Sequence, residues 1–489
     1  MEQVKKENFF VRLLKGIGNW FKGVGLAIAH FFVTLPGKIK AWFLKYVGIF
    51  KNGDFGVRLS FLIMGSGAFA RKQIAKGFAY FAIELLFIFY MIFNGVGALG
   101  DLFTLGTSFK YELVSLGQTA AAPNVPGDNS MLCLLFGVVA IMVIAGFLLM
   151  YFSNIKSAFD AYENSVIGKR LPTFKDDIKA LFDNKFYILL LVVSLVGVII
   201  FTLLPLIFMI LIAFTNYQGG TEESGFNWVG LKNFGDLVGS TDLSTTFFPV
   251  LGWTIVWALC ATFLNYFLGV GLALLINKKG IKLQKLWRML FVLTIAVPQF
   301  VSLLLMKTAL SPTGPVSSTI ESMGGQALHF FDANADPFVA KVMVIVINLW
   351  VGIPYSMLIT SGILMNIPAD LYESARIDGA DKFTMFRKIT LPYIMFIMGP
   401  YLITQFVGNI NNFNIIYLLT GGGPILGDLA EGAGSTSLLV TWLYNLTTGG
   451  EQKYYLAATI GILTFIVCAI VSLITYKNSS ATKSEGDFS

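Results

Sequence analysis

The chain has 489 residues, of which 55% are hydrophobic and 13% charged, and its mean hydropathy is +0.72. This composition excludes a string of soluble domains, because runs of about 20 apolar residues, long enough to cross about 30 Å of hydrocarbon, recur along the sequence. The net charge of +7 could suggest nucleic acid, but its distribution indicates membrane topology instead. The sequence therefore predicts an all-α polytopic membrane protein.

The N-terminal region, residues 1–75, mixes Lys and Arg with Phe, Trp and Leu, as in "FFVRLLKGIGNWFKGVGLAIAHFFVTLP". Such a pattern is typical of amphipathic helices in the membrane interface, and a partly disordered basic tail is the alternative. No small-residue cleavage pattern follows a single apolar core, so a removable signal peptide is not expected.

Eight apolar runs predict eight spanning helices. The third run is longer than a bilayer requires, and tilt or a break near Pro205 would accommodate it. The predicted spans lie near residues 77–98, 131–152, 185–214, 247–276, 287–309, 339–364, 391–418 and 454–476.

The distribution of Lys and Arg predicts the orientation of these spans. With the N-terminus inside, 30 of the 35 basic residues fall on the cytoplasmic side. Cytoplasmic segments carry such an excess, so both termini are predicted to be cytoplasmic. The other five basic residues fall on or near external loops: Lys110, Lys232, Lys307, Lys341 and Lys453.

A charged stretch, "YESARIDGADKFTMFRKITLP" at 372–392, separates two apolar runs. Pro368 favours a helix start, and Asp378-Gly379 is a turn signal. A second short helix is predicted from about Asp381 to Ile389, before Pro392 begins the next span. The expected result is a helix–turn–helix elbow on the cytoplasmic face; an ordinary polar loop is the alternative.

The spacing within this stretch resembles the pattern E-A-A-x3-G-x9-I-x-L-P of the membrane subunits of ATP-binding cassette (ABC) importers. Only the first alanine differs. The resemblance implies that residues 369–391 are the coupling helix, which docks in a cleft of a separate ATPase subunit. The residues to which it assigns this role are Glu373, Ser374, Ala375, Gly379, Ile389, Leu391 and Pro392.

Three further segments, "AFTNYQGG", "VGLKNFGDL" and "NNFNIIYLLTGGGP", resemble the carbohydrate-uptake branch, in particular the larger permease subunit of maltose and maltodextrin transporters. The resemblance implies a type I ABC importer permease fold with a six-helix core at 184–480. Residues 76–183 would add two helices and a cytoplasmic loop, and 481–489 a cytoplasmic tail. The implied location is a bacterial cell membrane.

Amide and aromatic side chains in the sixth and seventh spans could bind a sugar, because amides bond its hydroxyl groups and aromatic faces cover its C–H surfaces. Alignment with the maltose subunit, whose aromatic residue is replaced here by Gly408, implies six substrate-binding positions. The alternative is that these amides only join helices. The implied positions are Asn348, Val351, Gly352, Tyr355, Asn409 and Asn412.

The chain carries no G-x-x-x-x-G-K-[ST] motif, which would bind the phosphates of ATP. ATP and Mg are therefore expected on the partner ATPase. This chain is expected to have no cofactor, no metal and no catalytic residue. The implied partners are a second permease subunit, two ATPase subunits, an extracellular solute-binding protein, a sugar and membrane lipids. One alternative is an ABC permease for a non-sugar solute. An ion-coupled secondary transporter is less favoured, because only Glu84 is an acidic residue well inside a span, and a membrane-embedded enzyme lacks the necessary cluster of residues.

Overall fold

The structure is a computed structural model that describes residues 33–106, 128–219, 225–239, 241–278, 280–425, 427, 429–450 and 452–478. The N-terminal segment before residue 33, Lys110 and the predicted tail at 481–489 lie outside the described residues. Within the described part of the chain the regular structure is helical, with one isolated bridge between Thr215 and Trp228. The predicted all-α class is confirmed.

The chain forms two compact units, Met1–Val229 and Gly230–Ser489. We call them the first and the second unit and describe each by itself. The helices of the first unit are α1 (33–52), α2 (Phe55–Leu59), α3 (Ser66–Phe69), α4 (Ile74–Thr104), α5 (Ser130–Val166), α6 (Phe174–Phe182) and α7 (Phe186–Ile212).

A buried amide helps to hold the first unit together. The Oδ1 atom of Asn154 in α5 accepts a hydrogen bond from the Gly65 N–H at 3.0 Å, and its Nδ2 atom donates to the Ser60 carbonyl at 3.3 Å. Glu84 in α4 accepts a hydrogen bond from the Met64 N–H at 2.8 Å. The carboxylate of Glu84 therefore bonds to the backbone, which is typical of an acidic residue with a structural role.

The second unit contains eleven helical segments in its described part. They are α8 (Lys232–Gly239), α9 (Thr241–Ile276), α10 (Gln284–Ala296), α11 (Gln299–Ala309), α12 (Pro315–Ser322), α13 (Pro337–Met365), α14 (Ala369–Ile377), α15 (Lys382–Met385, Phe386–Thr390 and Leu391–Ile410 in succession), α16 (Phe413–Leu419), α17 (Leu439–Thr448) and α18 (Tyr454–Asn478).

Helix α9 packs closely against α13 in the core of the second unit. A Cβ atom at Gly269 of α9 would lie 2.4 Å from the Cβ atom of Ser356 in α13. Small residues at such a crossing let two helix backbones approach, and the resulting van der Waals contact is a main source of helix association in lipid. The indole rings of Trp253 and Trp257 are buried on the same helix.

The predicted spans correspond to helices in the structure. Seven helices among the described residues are long and apolar enough to cross a membrane, and the pair α10–α11 would make an eighth. This pair differs from the single helix expected at 287–309, because its two parts meet at 90°. Pro298 disfavours helical geometry in the preceding residue, and Val297 is extended, with φ −78° and ψ 127°.

Two other prolines are accommodated without a break in the helix. A π-helical turn at Ile199–Leu203 precedes Pro205, and another at Phe386–Thr390 precedes Pro392. A proline ring clashes with the carbonyl four residues earlier, and a wider turn relieves that clash. The break considered near Pro205 is therefore a local widening of α7.

Candidate functional site

A cavity of about 420 Å³ lies within the second unit, where α9, α13 and α15 surround the bend between α10 and α11. Its lining residues are all neutral, and twelve of the twenty carry a polar side chain. The lining residues are Ala261, Thr262, Asn265, Thr294, Ile295, Ala296, Val297, Pro298, Gln299, Ser302, Asn348, Val351, Gly352, Tyr355, Ser356, Tyr401, Leu402, Gln405, Asn409 and Asn412.

All six residues implied to bind substrate line this one cavity. Four of them follow one another along a face of α13, Asn409 lies near the end of α15, and Asn412 caps the start of α16. Their grouping depends on the interruption of the seventh span at Asn411, where α15 ends and α16 begins. The six are Asn348, Val351, Gly352, Tyr355, Asn409 and Asn412.

Two amides in the cavity wall have unsatisfied hydrogen-bonding atoms. The Nδ2 atom of Asn348 and the Oδ1 atom of Asn265 are buried and have no hydrogen-bond partner among the described residues. Asn348 is only 4% exposed. A buried polar group left unsatisfied costs about 1–3 kcal/mol, so a polar molecule that bonded these atoms would gain that energy.

Gly352 provides the space that Asn265 occupies. A Cβ atom at position 352 would lie 2.2 Å from Nδ2 and 2.7 Å from Oδ1 of Asn265. Any larger residue would therefore displace this amide. The close approach of α9 to α13 requires a glycine at this position. A residue without a side chain can contribute to a binding site in this way, because it leaves space for the Asn265 amide.

Asn409, near the end of α15, also joins two helices, as the alternative interpretation expects. Asn409 donates from Nδ2 to the Thr262 hydroxyl at 3.0 Å, and its carbonyl accepts from the Trp257 indole at 3.0 Å. The Asn412 side chain accepts from the Ile415 N–H at 3.4 Å and so caps α16. Asn409 and Asn412 thus fix the local backbone in addition to lining the cavity.

Two tyrosines supply aromatic surface. The ring centroids of Tyr355 and Tyr401 are 6.2 Å apart with planes inclined by 35°, and Tyr355 is 46% exposed. At Gly408, where the maltose subunit carries an aromatic residue, a Cβ atom would meet nothing within 4 Å. Tyr401, on the same helix, contributes a ring to the cavity instead.

Several lining residues were not singled out by the sequence. They include Thr262 and Asn265 of α9, Gln299 after the bend, and Tyr401 of α15. Asn265 carried a usable signal, because an amide inside an apolar run should line a wet cavity or bond to another helix. Gln299 gave no such signal in the sequence, because it lines the cavity only as a result of the bend at Val297 and Pro298.

The elbow is built on a glycine-terminated helix. At the end of α14, Gly379 donates to the Arg376 carbonyl at 3.0 Å and Ala380 to the Ala375 carbonyl at 2.9 Å. These two bonds form a Schellman motif, which requires a left-handed residue after the helix. Gly379 has φ +77°, so its conformation, rather than any lack of space, explains the glycine.

Asp381 begins the second arm of the elbow. Its carboxylate accepts hydrogen bonds at 3.2 Å from the N–H groups of Phe383 and Thr384. Hydrogen bonding from the Thr384 side chain, followed by these backbone bonds, holds the pKa of Asp381 below its ordinary value. The carboxylate is therefore ionised at neutral pH, the form that best caps a helix.

The second arm differs from the prediction in its length. A separate short helix was expected to end near Ile389, but Lys382–Met385 continues through the π-helical turn at Phe386–Thr390 into Leu391–Ile410. The widened turn absorbs Pro392, which would otherwise end the helix. Ile389, Leu391 and Pro392 consequently lie inside one continuous helix, α15.

The first arm presents exposed side chains. Glu373, Ser374 and Gly379 are exposed, and Ala375 is half-buried. Two apolar residues of the elbow are also exposed: Ile377 in the first arm at 87%, and Phe383 in the second arm at 67%. Large apolar side chains grouped on a charged surface segment are typical of a contact with another protein.

Comparison with known proteins identifies the class of protein. Residues 265–482 match the model of a family described as binding-protein-dependent transport system inner membrane component. The chain is 35% identical to the maltodextrin transport system permease protein MalC of Streptococcus pneumoniae, over 90% of this chain and 99% of that protein. It therefore belongs to this family and is a multi-pass permease subunit of an ABC importer, not an enzyme.

A second relative supports the same class, and one solved structure has the same fold. The galactooligosaccharides transport system permease protein GanP of Bacillus subtilis is 33% identical, over 87% of this chain and 97% of that protein. A chain in the crystal structure of a bacterial alginate ABC transporter, in complex with an alginate pentasaccharide-bound periplasmic protein, has a TM-score of 0.51 at 21% identity. That alignment covers 62% of this chain and 96% of the other and shows a shared fold.

Proposed function

We propose that this chain forms half of the translocation pathway of an ATP-driven importer for a sugar, with maltose, a maltodextrin or another oligosaccharide as cargo. The cavity between α9, α13 and α15 would bind the sugar. Asn348, Asn265 and Gln405 would bond sugar hydroxyl groups, and Tyr355 and Tyr401 would cover C–H faces.

The observation that carries this proposal is the chemistry of the cavity wall. Its lining residues include six amides and four hydroxyl-bearing Ser and Thr residues, and none of them carries a charge. A charged solute would leave its charge uncompensated in such a wall, which is costly in a low-dielectric site. A neutral polyhydroxylated molecule meets both the amides and the tyrosine rings.

Energy would enter through the elbow at 369–391. A second, different permease subunit would complete the pathway, two ATPase subunits would bind on the cytoplasmic side, and an extracellular solute-binding protein would deliver the sugar. When ATP draws the ATPase subunits together, the elbow would move with them and open the cavity outward. Hydrolysis would then return the cavity to the inward-facing state.

The proposed topology has both termini in the cytoplasm of a bacterial cell. Residues 184–480 would form the permease core, preceded by an interfacial segment at 1–75 and two additional helices at 76–183, and followed by a tail at 481–489. This arrangement puts the elbow on the side of the ATPase subunits. It rests on the 30 basic residues assigned to cytoplasmic segments.

The experiment that tests the cargo is a screen of ATP hydrolysis by the purified complex with its binding protein. We expect stimulation by maltose or linear oligosaccharides and none by amino acids or charged sugars. Stimulation by an amino acid alone would identify a non-sugar importer and contradict the proposed cargo.

A separate experiment tests the energy source. In vesicles, uptake should continue after ionophores collapse the proton and sodium gradients and should stop when ATP is omitted. The opposite result would indicate an ion-coupled secondary transporter. The structural use of Glu84, which binds the Met64 N–H, argues against that alternative.

A further inference from the structure

A second cavity, of about 480 Å³, lies in the first unit beside the start of the first spanning helix. Its walls are two chain segments, 71–76 at the beginning of α4 and 171–177 at the beginning of α6. None of these residues takes part in the proposed transport cavity or in the elbow. We call this space the interfacial cavity.

The start of α4 in the wall of the interfacial cavity lacks a side-chain cap. Gln73 precedes the helix and makes no capping hydrogen bond; its amide nitrogen donates to the Pro172 carbonyl at 3.0 Å instead. The first N–H groups of a helix have no partner within the helix, and together with the helix dipole they favour an anion. Ile74, Ala75 and Lys76, whose N–H groups these are, line the cavity.

Arg71 provides a second and independent feature that favours an anion. Its guanidinium donates to the Gly67 carbonyl at 2.7 Å and to Asp54 at 2.9 Å, and lies 5.4 Å from the centre of the Tyr162 ring. The side chain is only 6% exposed. Its Nε atom is nevertheless buried without a hydrogen-bond partner among the described residues, and Arg71 is part of the cavity wall.

The charged residues of the wall favour a negative ligand. Lys72 and Lys76 stand against a single lining carboxylate, Asp177, because the third cation of the wall, Arg71, is already paired with Asp54. Asp177 can accept a hydrogen bond from a hydroxyl group of the ligand. Phosphate oxygens match the remaining wall, because they accept hydrogen bonds from lysine, from arginine and from the N–H groups at a helix start.

Exposed apolar side chains flank the interfacial cavity and indicate an amphiphilic ligand. Ile74 is 60% exposed, Phe78 60% and Phe174 59%. Ile74 begins a helix that is long and apolar enough to span a membrane. We propose that the interfacial cavity binds the phosphate of an anionic glycerophospholipid, whose acyl chains would lie along these apolar side chains. A free phosphate ion has the same oxygens but no acyl chains to contact the apolar side chains.

The experiment uses the full chain reconstituted in nanodiscs that contain phosphatidylglycerol and phosphatidylcholine, followed by native mass spectrometry of the retained lipid. Wild type should retain phosphatidylglycerol and release phosphatidylcholine. The double substitution Lys72→Gln and Lys76→Gln should lower this retention at least about tenfold, because each lysine near an anionic headgroup contributes about 1 kcal/mol, and 1.4 kcal/mol is tenfold in affinity. Arg71 is left in place because it holds Asp54.

The matched control is the double substitution Lys175→Gln and Lys179→Gln, which removes two exposed lysines of α6 outside the cavity wall. This variant should retain phosphatidylglycerol as wild type does. Equal retention of the two lipids by wild type, or equal losses in the two double variants, would overturn the proposal. Displacement of the lipid by inorganic phosphate at millimolar concentration would also overturn the proposal, because the site would then bind a free anion and not specifically a lipid.

Discussion

The hydroxyl group of Tyr372 in α14 and that of Thr390 in α15 form a hydrogen bond 2.8 Å long. The two residues are eighteen positions apart, and Thr390 is buried. The bond ties the first arm of the elbow to the spanning helix, on the far side of the turn at Gly379. Under the proposed coupling, this bond would let the elbow pass a displacement to α15, whereas a flexible loop would absorb the displacement.

Removal of this bond should weaken the coupling. Tyr372→Phe deletes one neutral hydrogen bond, worth about 1 kcal/mol, and leaves the ring in place. We expect the sugar transported per ATP hydrolysed to fall several-fold, with unchanged amounts of subunit in the membrane. The control is Tyr187→Phe, which alters an exposed tyrosine of α7. If both variants transport as wild type does, the bond has no part in coupling.

The turn itself should be sensitive to conformation and not to size. Gly379→Ala has space for its Cβ atom but carries the left-handed penalty of about 1–2 kcal/mol, so uptake should be reduced. Gly379→Pro also removes the N–H that bonds Arg376, and it should abolish uptake, as should Glu373→Lys at the exposed surface. Subunit levels in the membrane, measured by blotting, should stay the same. Normal uptake by Gly379→Pro and Glu373→Lys would contradict the coupling role.

The glycine of the cavity should determine sugar affinity. Gly352→Ala displaces the Asn265 amide, so the sugar concentration for half-maximal ATPase stimulation should rise about tenfold, consistent with a loss of 1–3 kcal/mol. Gly362→Ala on the same helix is the control, because a Cβ atom there meets nothing within 4 Å. Equal effects of the two substitutions would mean that Asn265 has no part in binding.

The unsatisfied amide of Asn348 should be dispensable for stability but not for transport. Its Nδ2 atom has no protein partner among the described residues, so Asn348→Ala should leave the melting temperature nearly unchanged and weaken the response to sugar about tenfold. Asn154→Ala is the contrasting variant, because it deletes two hydrogen bonds to backbone. It should lower the melting temperature and leave the sugar concentration dependence intact. The reverse pattern would indicate that Asn348 has a structural role and does not bind sugar.

Apolar runs located the spans well, because the hydrocarbon thickness fixes the length of every spanning helix. The effect of each proline was less accessible. Pro249, Pro354 and Pro400 lie inside continuous helices, whereas Pro298 stands at a 90° bend. These outcomes depend on neighbouring helices that satisfy the freed backbone groups, and such neighbours are not visible in a local sequence pattern.

Resemblance grouped the six proposed substrate residues, and the structure brings them to one cavity. Which of their atoms are free could not be read from the sequence. Asn348 and Asn409 are both amides in apolar runs, yet Asn409 donates to Thr262 while the nitrogen of Asn348 has no partner in the described part of the chain. Residue type gives the capacity for hydrogen bonding, and only packing decides how that capacity is used.

The most direct test of the account is a photocrosslinking amino acid placed at Ile377 and, separately, at Ile425 in cells that express the whole transporter. Both side chains are strongly exposed, at 87% and 76%, and the predicted topology puts them on opposite sides of the membrane. We expect position 377 to crosslink to the ATPase subunit and position 425 not to. A crosslink between position 425 and the ATPase, or none from position 377 to it, would contradict transmission of ATP energy through the elbow.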